Sequence, residues 1–137
     1  MIERCVMTLL VCSCLASAQK PDQLLGRWKV TAVATACPVT AMSGSAAARL
    51  VGQPLTLTRH TVHFARQTCR PIYELSKETL AEVSQEYKID AKALKLPDPV
   101  IRVDADCTEV FIREPGKILF TWNGYFLEAT RSSAAGD

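Results

Sequence analysis

The chain has 137 residues, 48% of them apolar and 22% charged, with 16 Lys and Arg against 14 Asp and Glu, a formal net charge of +2. That length suits one domain with a modest core. No run of Lys or Arg exceeds two residues, which excludes the basic stripe that binding to nucleic acid requires.

Met1–Arg4 and the apolar stretch CVMTLLVCSCL, followed by Ala16-Ser17-Ala18, read as a signal peptide over residues 1–18 with cleavage after Ala18. The apolar stretch is shorter than the ~20 residues a membrane span needs. A rival reading makes Cys14 a lipidated cysteine. Either way the destination is outside the cytoplasm, periplasmic or secreted, and nothing later in the chain reads as a membrane span. A single domain is expected over 19–131, with 132–137 as a disordered tail.

In chain order, GRWKVTAVATA alternates: Trp28, Val30, Ala32 and Ala34 fall on one side, Arg27, Lys29, Thr31 and Thr35 on the other. This predicts a half-buried strand with small inward residues at Ala32, Ala34 and Ala36. SGSAAARLVG predicts a short helix capped by Ser43 or Ser45 and stopped at Gly52. PLTLTR, TVHFAR and PIYELS predict three more strands. From Lys77 to Lys88 the apolar spacing becomes three and four (Leu80, Val83, Tyr87), an amphipathic helix with Ser76 as N-cap and Glu78 at its positive end. It acts either as a lid or partner helix or as a layer on the sheet. Asp90 caps a further turn, and Pro97 and Pro99 stop it.

The last forty residues read as a meander. Ile101, Val103 and Ala105 alternate with Arg102 and Asp104; then come TEVFIR, the turn EPGK, KILFTW and YFLEATR. Asn123-Gly124 suits a two-residue type I′ turn, which sets Trp122 against Tyr125, Phe120 against Leu127 and Ile118 against Ala129 on one face. Leu119 and Phe126 are apolar exceptions on the other. The count is about eight antiparallel strands with a helix inserted after the fourth. The fold class is mainly β, and closure into a barrel would hide the strand edges. An α+β open sheet crossed by the helix is the alternative.

Cysteine usage agrees with export. Cys37, Cys69 and Cys107 follow the leader, so at most one internal bridge forms. The expected pair is Cys69–Cys107, with Cys37 left over.

No catalytic signature stands out. His60 and His63, on a strand, would point to opposite sides. Asp98, Asp104 and Asp106 lack a calcium-loop spacing. Ser43–Ser45 lacks a nucleophile elbow, and no cysteine has a local nucleophile signature. Glu74 and Glu128 form a carboxylate pair only if the fold joins them. The chain is read as no enzyme, with no cofactor and no metal.

Gly26-Arg27-Trp28 near the start and Arg131 near the end resemble the G-x-W of the first strand in lipocalins and the basic residue that packs over that Trp at the barrel base. VGQPLTLTRHTVHFARQTCRPIYEL is similar to small exported bacterial proteins of unassigned role and lipocalin-like shape. The chain is shorter than a lipocalin, its helix sits in mid-chain, and a second lipocalin motif is absent. The resemblance implies an eight-stranded barrel with Gly26, Trp28 and Arg131 at its base. Two functions follow as expectations. One is a carrier of a small apolar ligand, lined by Trp28, Phe64, Phe120, Trp122 and Tyr125. The other is a protein-interaction module, such as an inhibitor of a secreted enzyme, working from the loops CPVTAMSGS and KLPDPV.

Overall fold

The computed structural model describes residues 21–133. The expected signal peptide, the Cys14 alternative and residues 134–137 of the expected tail lie outside that range. A 3-10 turn at Pro21–Leu24 leads into β1 (Gly26–Ala36), α1 (Gly44–Ala48), β2 (Pro54–Leu57), β3 (Val62–Phe64), β4 (Gln67–Cys69), β5 (Glu74–Glu78), α2 (Leu80–Tyr87), β6 (Val100–Asp104), β7 (Glu109–Glu114), β8 (Lys117–Trp122) and β9 (Tyr125–Ser133). β9 thus runs two residues beyond Arg131, where the tail was expected to begin. Among the described residues no helix is long and apolar enough to cross a membrane.

All nine strands form one antiparallel sheet in the order β4-β3-β2-β1-β9-β8-β7-β6-β5. β3 and β8 are four steps apart in that order, about 19 Å in a flat sheet. Yet Phe64 on β3 meets Phe120 and Trp122 on β8 edge-on, with ring centroids 5.0 and 4.9 Å apart. The sheet is therefore curled into a half-barrel around its inner face. Register shifts in β1 between Arg27 and Trp28, Val30 and Ala32, and Val33 and Thr35 mark where it bends against β9.

Those irregularities also revise the expected faces of β1. An extra residue after Val30 reverses the alternation. Val33 packs on the inner core, Ala34 packs on the outer one, and Ala36 is exposed. The small inward residues expected at Ala34 and Ala36 are not inward.

The ladder does not close. β4 and β5 are its two edges, and the chain crosses from one to the other through residues 70–73. Two ties reinforce this seam. The Cys69–Cys107 disulfide joins β4 to the turn between β6 and β7. The Tyr73 hydroxyl donates to Thr58 O at 2.7 Å, and burial pushes that phenol up to about 12.

The inner core holds Trp28, Val30, Leu55, Leu57, Val62, Phe64, Val103, Val110, Ile118, Phe120, Leu127 and their neighbours. A second core lies on the outer face of β6–β9. There Phe111, Leu119, Phe126 and Val100 pack beneath Val83 of α2 and beneath Ala91, Leu94 and Leu96 of the segment that follows. Leu119 and Phe126, exceptions in the sequence pattern, belong to this second core. α2 is a layer on the sheet.

α1 is capped by Ser43, whose Oγ accepts from Ala46 N at 3.1 Å. α2 starts later than expected. Ser76 and Glu78 belong to β5, and the N-cap is Thr79, whose Oγ1 accepts from Glu82 N at 3.1 Å. Thr79 and Glu82 form a T-x-x-E pair, a start signal that Ser76 lacks. Asp90 does cap the next turn, accepting from Lys92 N at 3.1 Å.

The Asn123-Gly124 hairpin has the expected register, and both turn residues have positive φ, 47° and 84°. Its tip is covered. Cys37 N donates to Gly124 O at 2.7 Å and Ala41 N to Asn123 O at 2.9 Å, so the 37–42 loop lies across the turn. A Cβ on Gly124 would sit 2.4 Å from Val39 O and 2.8 Å from Thr40 Cα. Gly124→Ala is expected to lower stability by about 2 kcal/mol, from the αL penalty together with a shift of the packed loop. Chemical denaturation checks it, and an unchanged midpoint would refute the packing of this loop on the turn.

Candidate functional site

At the end of the half-barrel where β1 starts and β9 finishes, a cleft of about 520 Å³ opens. Its floor is a row of three isoleucines. Ile101 on β6 pairs in register with Ile112 on β7, and Ile112 with Ile118 on β8. Alternation on three neighbouring strands brings them to the same inner face. Leu24, Trp28 and Pro97 complete the apolar lining, and Gln23, Arg113, Glu114 and Arg131 bring polar atoms to it.

The base pair expected from the sequence meets here. Trp28 and Arg131 are register partners across β1 and β9, and the guanidinium carbon lies 4.3 Å from the Trp28 ring centroid, in cation–π range. Trp28 Nε1 donates to Leu24 O at 2.8 Å. Arg131 Nη1 donates to Leu25 O at 2.8 Å and Nη2 to Gln23 O. These bonds fold the 3-10 turn over the barrel base. Gly26 opens β1 with φ 131°, a conformation that favours glycine.

The other proposed lining residues lie elsewhere. Phe64, Phe120 and Trp122 pack against one another at the opposite end. Phe64 and Trp122 border only a gap of about 50 Å³ beside the disulfide, well below the 300 Å³ or so of a ligand pocket. The Tyr125 hydroxyl donates to Met42 O at 3.0 Å, which ties the hairpin to the loop before α1. Trp28 thus lines the larger cleft, and the remaining four build the packed end.

A second polar assembly, on the outer face, was not anticipated. Arg102 is only 8% exposed. Its guanidinium donates to Glu78 at 3.0 and 3.1 Å, to Glu86 at 2.5 and 3.1 Å, to the Tyr87 hydroxyl at 3.0 Å, and to Glu109. Three carboxylates share one cation. Burial, then the charges of Glu86 and Glu78, push the Glu109 carboxyl up to about 7. The cluster joins β5, α2, β6 and β7. A sequence signal existed: Val100 and Ile101 are both apolar, so both faces of β6 are covered, and Arg102, which follows them on the Val100 face, needs partners.

The remaining candidates stay apart. His60 lies in the β2–β3 turn and His63 bonds Thr68 at 2.7 Å through Nδ1. Among the described residues no three His, Cys, Asp or Glu converge as a metal site. Glu128 is bound by Arg113 at 3.0 Å, which with a bond from Thr31 holds its carboxyl below the usual range. It sits four strands from Glu74 in ladder order. Cys37 is a free thiol, raised by burial. Leu96 and Val100 of the KLPDPV loop are buried in the outer core, whereas Val39 of the CPVTAMSGS loop is 83% exposed.

Compared with known proteins, the chain matches no family model, no curated protein and no solved structure.

Proposed function

We propose that the protein is an exported, non-enzymatic, lipocalin-like binding module whose cleft at the Trp28–Arg131 end takes a small apolar ligand. The observation that carries this is the cleft itself: about 520 Å³ above a continuous isoleucine floor, within the size range of ligand sites. Arg131 stacked on Trp28 supports the lipocalin-like shape, and the Cys69–Cys107 bridge supports an oxidising destination. Shape does not fix function, so the site must be tested directly.

Native mass spectrometry of the disulfide-bonded protein from its own host is expected to show one small molecule retained per chain. Ile112→Trp, which fills the floor, should abolish retention while leaving the fold intact. A ligand-free protein that also fails to take up an apolar probe such as N-phenylnaphthylamine would overturn the carrier reading. A second reading, a protein-interaction module, is favoured by the exposed Val39 on a loop pinned across the hairpin tip. For that reading Val39→Asp should abolish partner binding and leave probe uptake unchanged.

A further inference from the structure

We propose that the ligand is a single-chain amphipath with an anionic head, its tail along the isoleucine row and its head beside Arg131. This rests on the cleft being the binding site. The charges at the cleft do not cancel. Arg113 is balanced by Glu128 at 3.0 Å and Glu114 by Lys117 at 3.2 Å. Arg131 has no carboxylate partner among the described residues. Its bonds go to two backbone carbonyls, and its face rests on an indole. Carbonyl dipoles and a ring quadrupole orient a cation without neutralising it. A guanidinium carries five N–H donors, and two are used here, so a head group can be met by the others.

The shape of the floor selects the tail. Ile101, Ile112 and Ile118 stand on adjacent strands in direct register, a stripe about 10 Å long across two strand spacings. Arg131 is on β9, the next strand beyond β8, two residues past Ala129, the register partner of Ile118, so the charge stands beyond the β8 end of the stripe and about 7 Å to one side of it. A neutral apolar ligand would leave the cation unmatched, and a cationic one would be repelled. A carboxylate on an extended alkyl chain satisfies both parts.

Decanoate, decanol and decyltrimethylammonium share one tail and differ in the head. Calorimetry of the intact disulfide-bonded protein, below micelle-forming concentrations, is expected to show decanoate bound one-to-one and about tenfold more tightly than decanol, the strength of one hydrogen bond to a charged group. The ammonium should bind least. Added salt should narrow the preference for decanoate. Arg131→Gln should equalise decanoate and decanol, while Arg131→Lys keeps the preference. Because Arg131 also braces Trp28, the salt titration on unmodified protein tests the charge independently of folding. Equal affinity for decanoate and decanol in unmodified protein would overturn the head-group assignment and leave the apolar-ligand reading standing. Binding of none of the three would overturn both.

Discussion

Arg102→Ala is expected to destabilise the protein by about 3–5 kcal/mol at neutral pH, the range for breaking a buried ion pair by removing one partner. The side chain is the hub of four elements, and its loss leaves Glu78, Glu86 and Glu109 facing one another with no cation between them. Its guanidinium also lies 5.5 Å from the Tyr87 ring and 5.7 Å from that of Phe111. The substitution therefore loosens the seat of α2 as well as the charge balance. The effect should shrink in acid, where the abandoned carboxylates can take up protons.

The unmodified protein carries a pH signature from the same cluster. Glu109 has a folded pKa of about 7 against an ordinary 4.5. Between those values the folded state holds a proton that the unfolded state releases. Its contribution is complete below about 4.5 and lost as pH rises through 7. The melting temperature should decline across that window, and Glu109→Gln should flatten the decline. Denaturant titrations of the Arg102 variant at neutral pH and at pH 5 test the first expectation. A small loss at neutral pH would mean that the three carboxylates reach water unaided.

Reduction of Cys69–Cys107 is expected to remove about 4 kcal/mol, from the chain entropy of a 38-residue loop. For a domain of this size that is a fall in melting temperature of about 15 °C. The bridge matters because of where it lies. It spans the seam between edge strands, where no ladder hydrogen bonds cross. Without it the seam is held by residues 70–73, the Tyr73–Thr58 bond and side-chain packing. Melting with and without reductant, and of the Cys69→Ser/Cys107→Ser double variant, measures the effect. Cys37→Ser should change little, since Cys37 forms no bridge. Unreduced protein that begins at Gln19, after the expected cleavage, should show one labelled thiol; three would refute the bridge.

Much of the meander was legible because its signals are local. Asn123-Gly124 fixes the β8–β9 register, and Trp28 and Arg131 mark the ends that meet. The β3–β4 hairpin was not legible, because Ala65 and Arg66 adopt the positive φ of its turn, 49° and 64°, without the Asn-Gly chemistry that advertises it. Ser76 looked like a helix cap, but its backbone is taken by pairing with Arg102 across β5 and β6. A partner distant in sequence overrode a local preference. The site was half-visible for the same reason. Trp28 announced itself, whereas Ile101, Ile112 and Ile118 became one floor only through the register of three strands. Aromatic residues drew attention to Phe64, Phe120 and Trp122, but large flat rings fill space, and they made the packed end of the barrel.

β1 and β9, first and last among the described strands, lie side by side in the middle of the sheet, with Arg27 opposite Ser133. Neither half can complete its central ladder until the chain as far as residue 133 has been synthesised. Pairing of such distant segments slows folding, so the joining of the two halves along β1 and β9 is the step that sets the pace at which this sheet assembles.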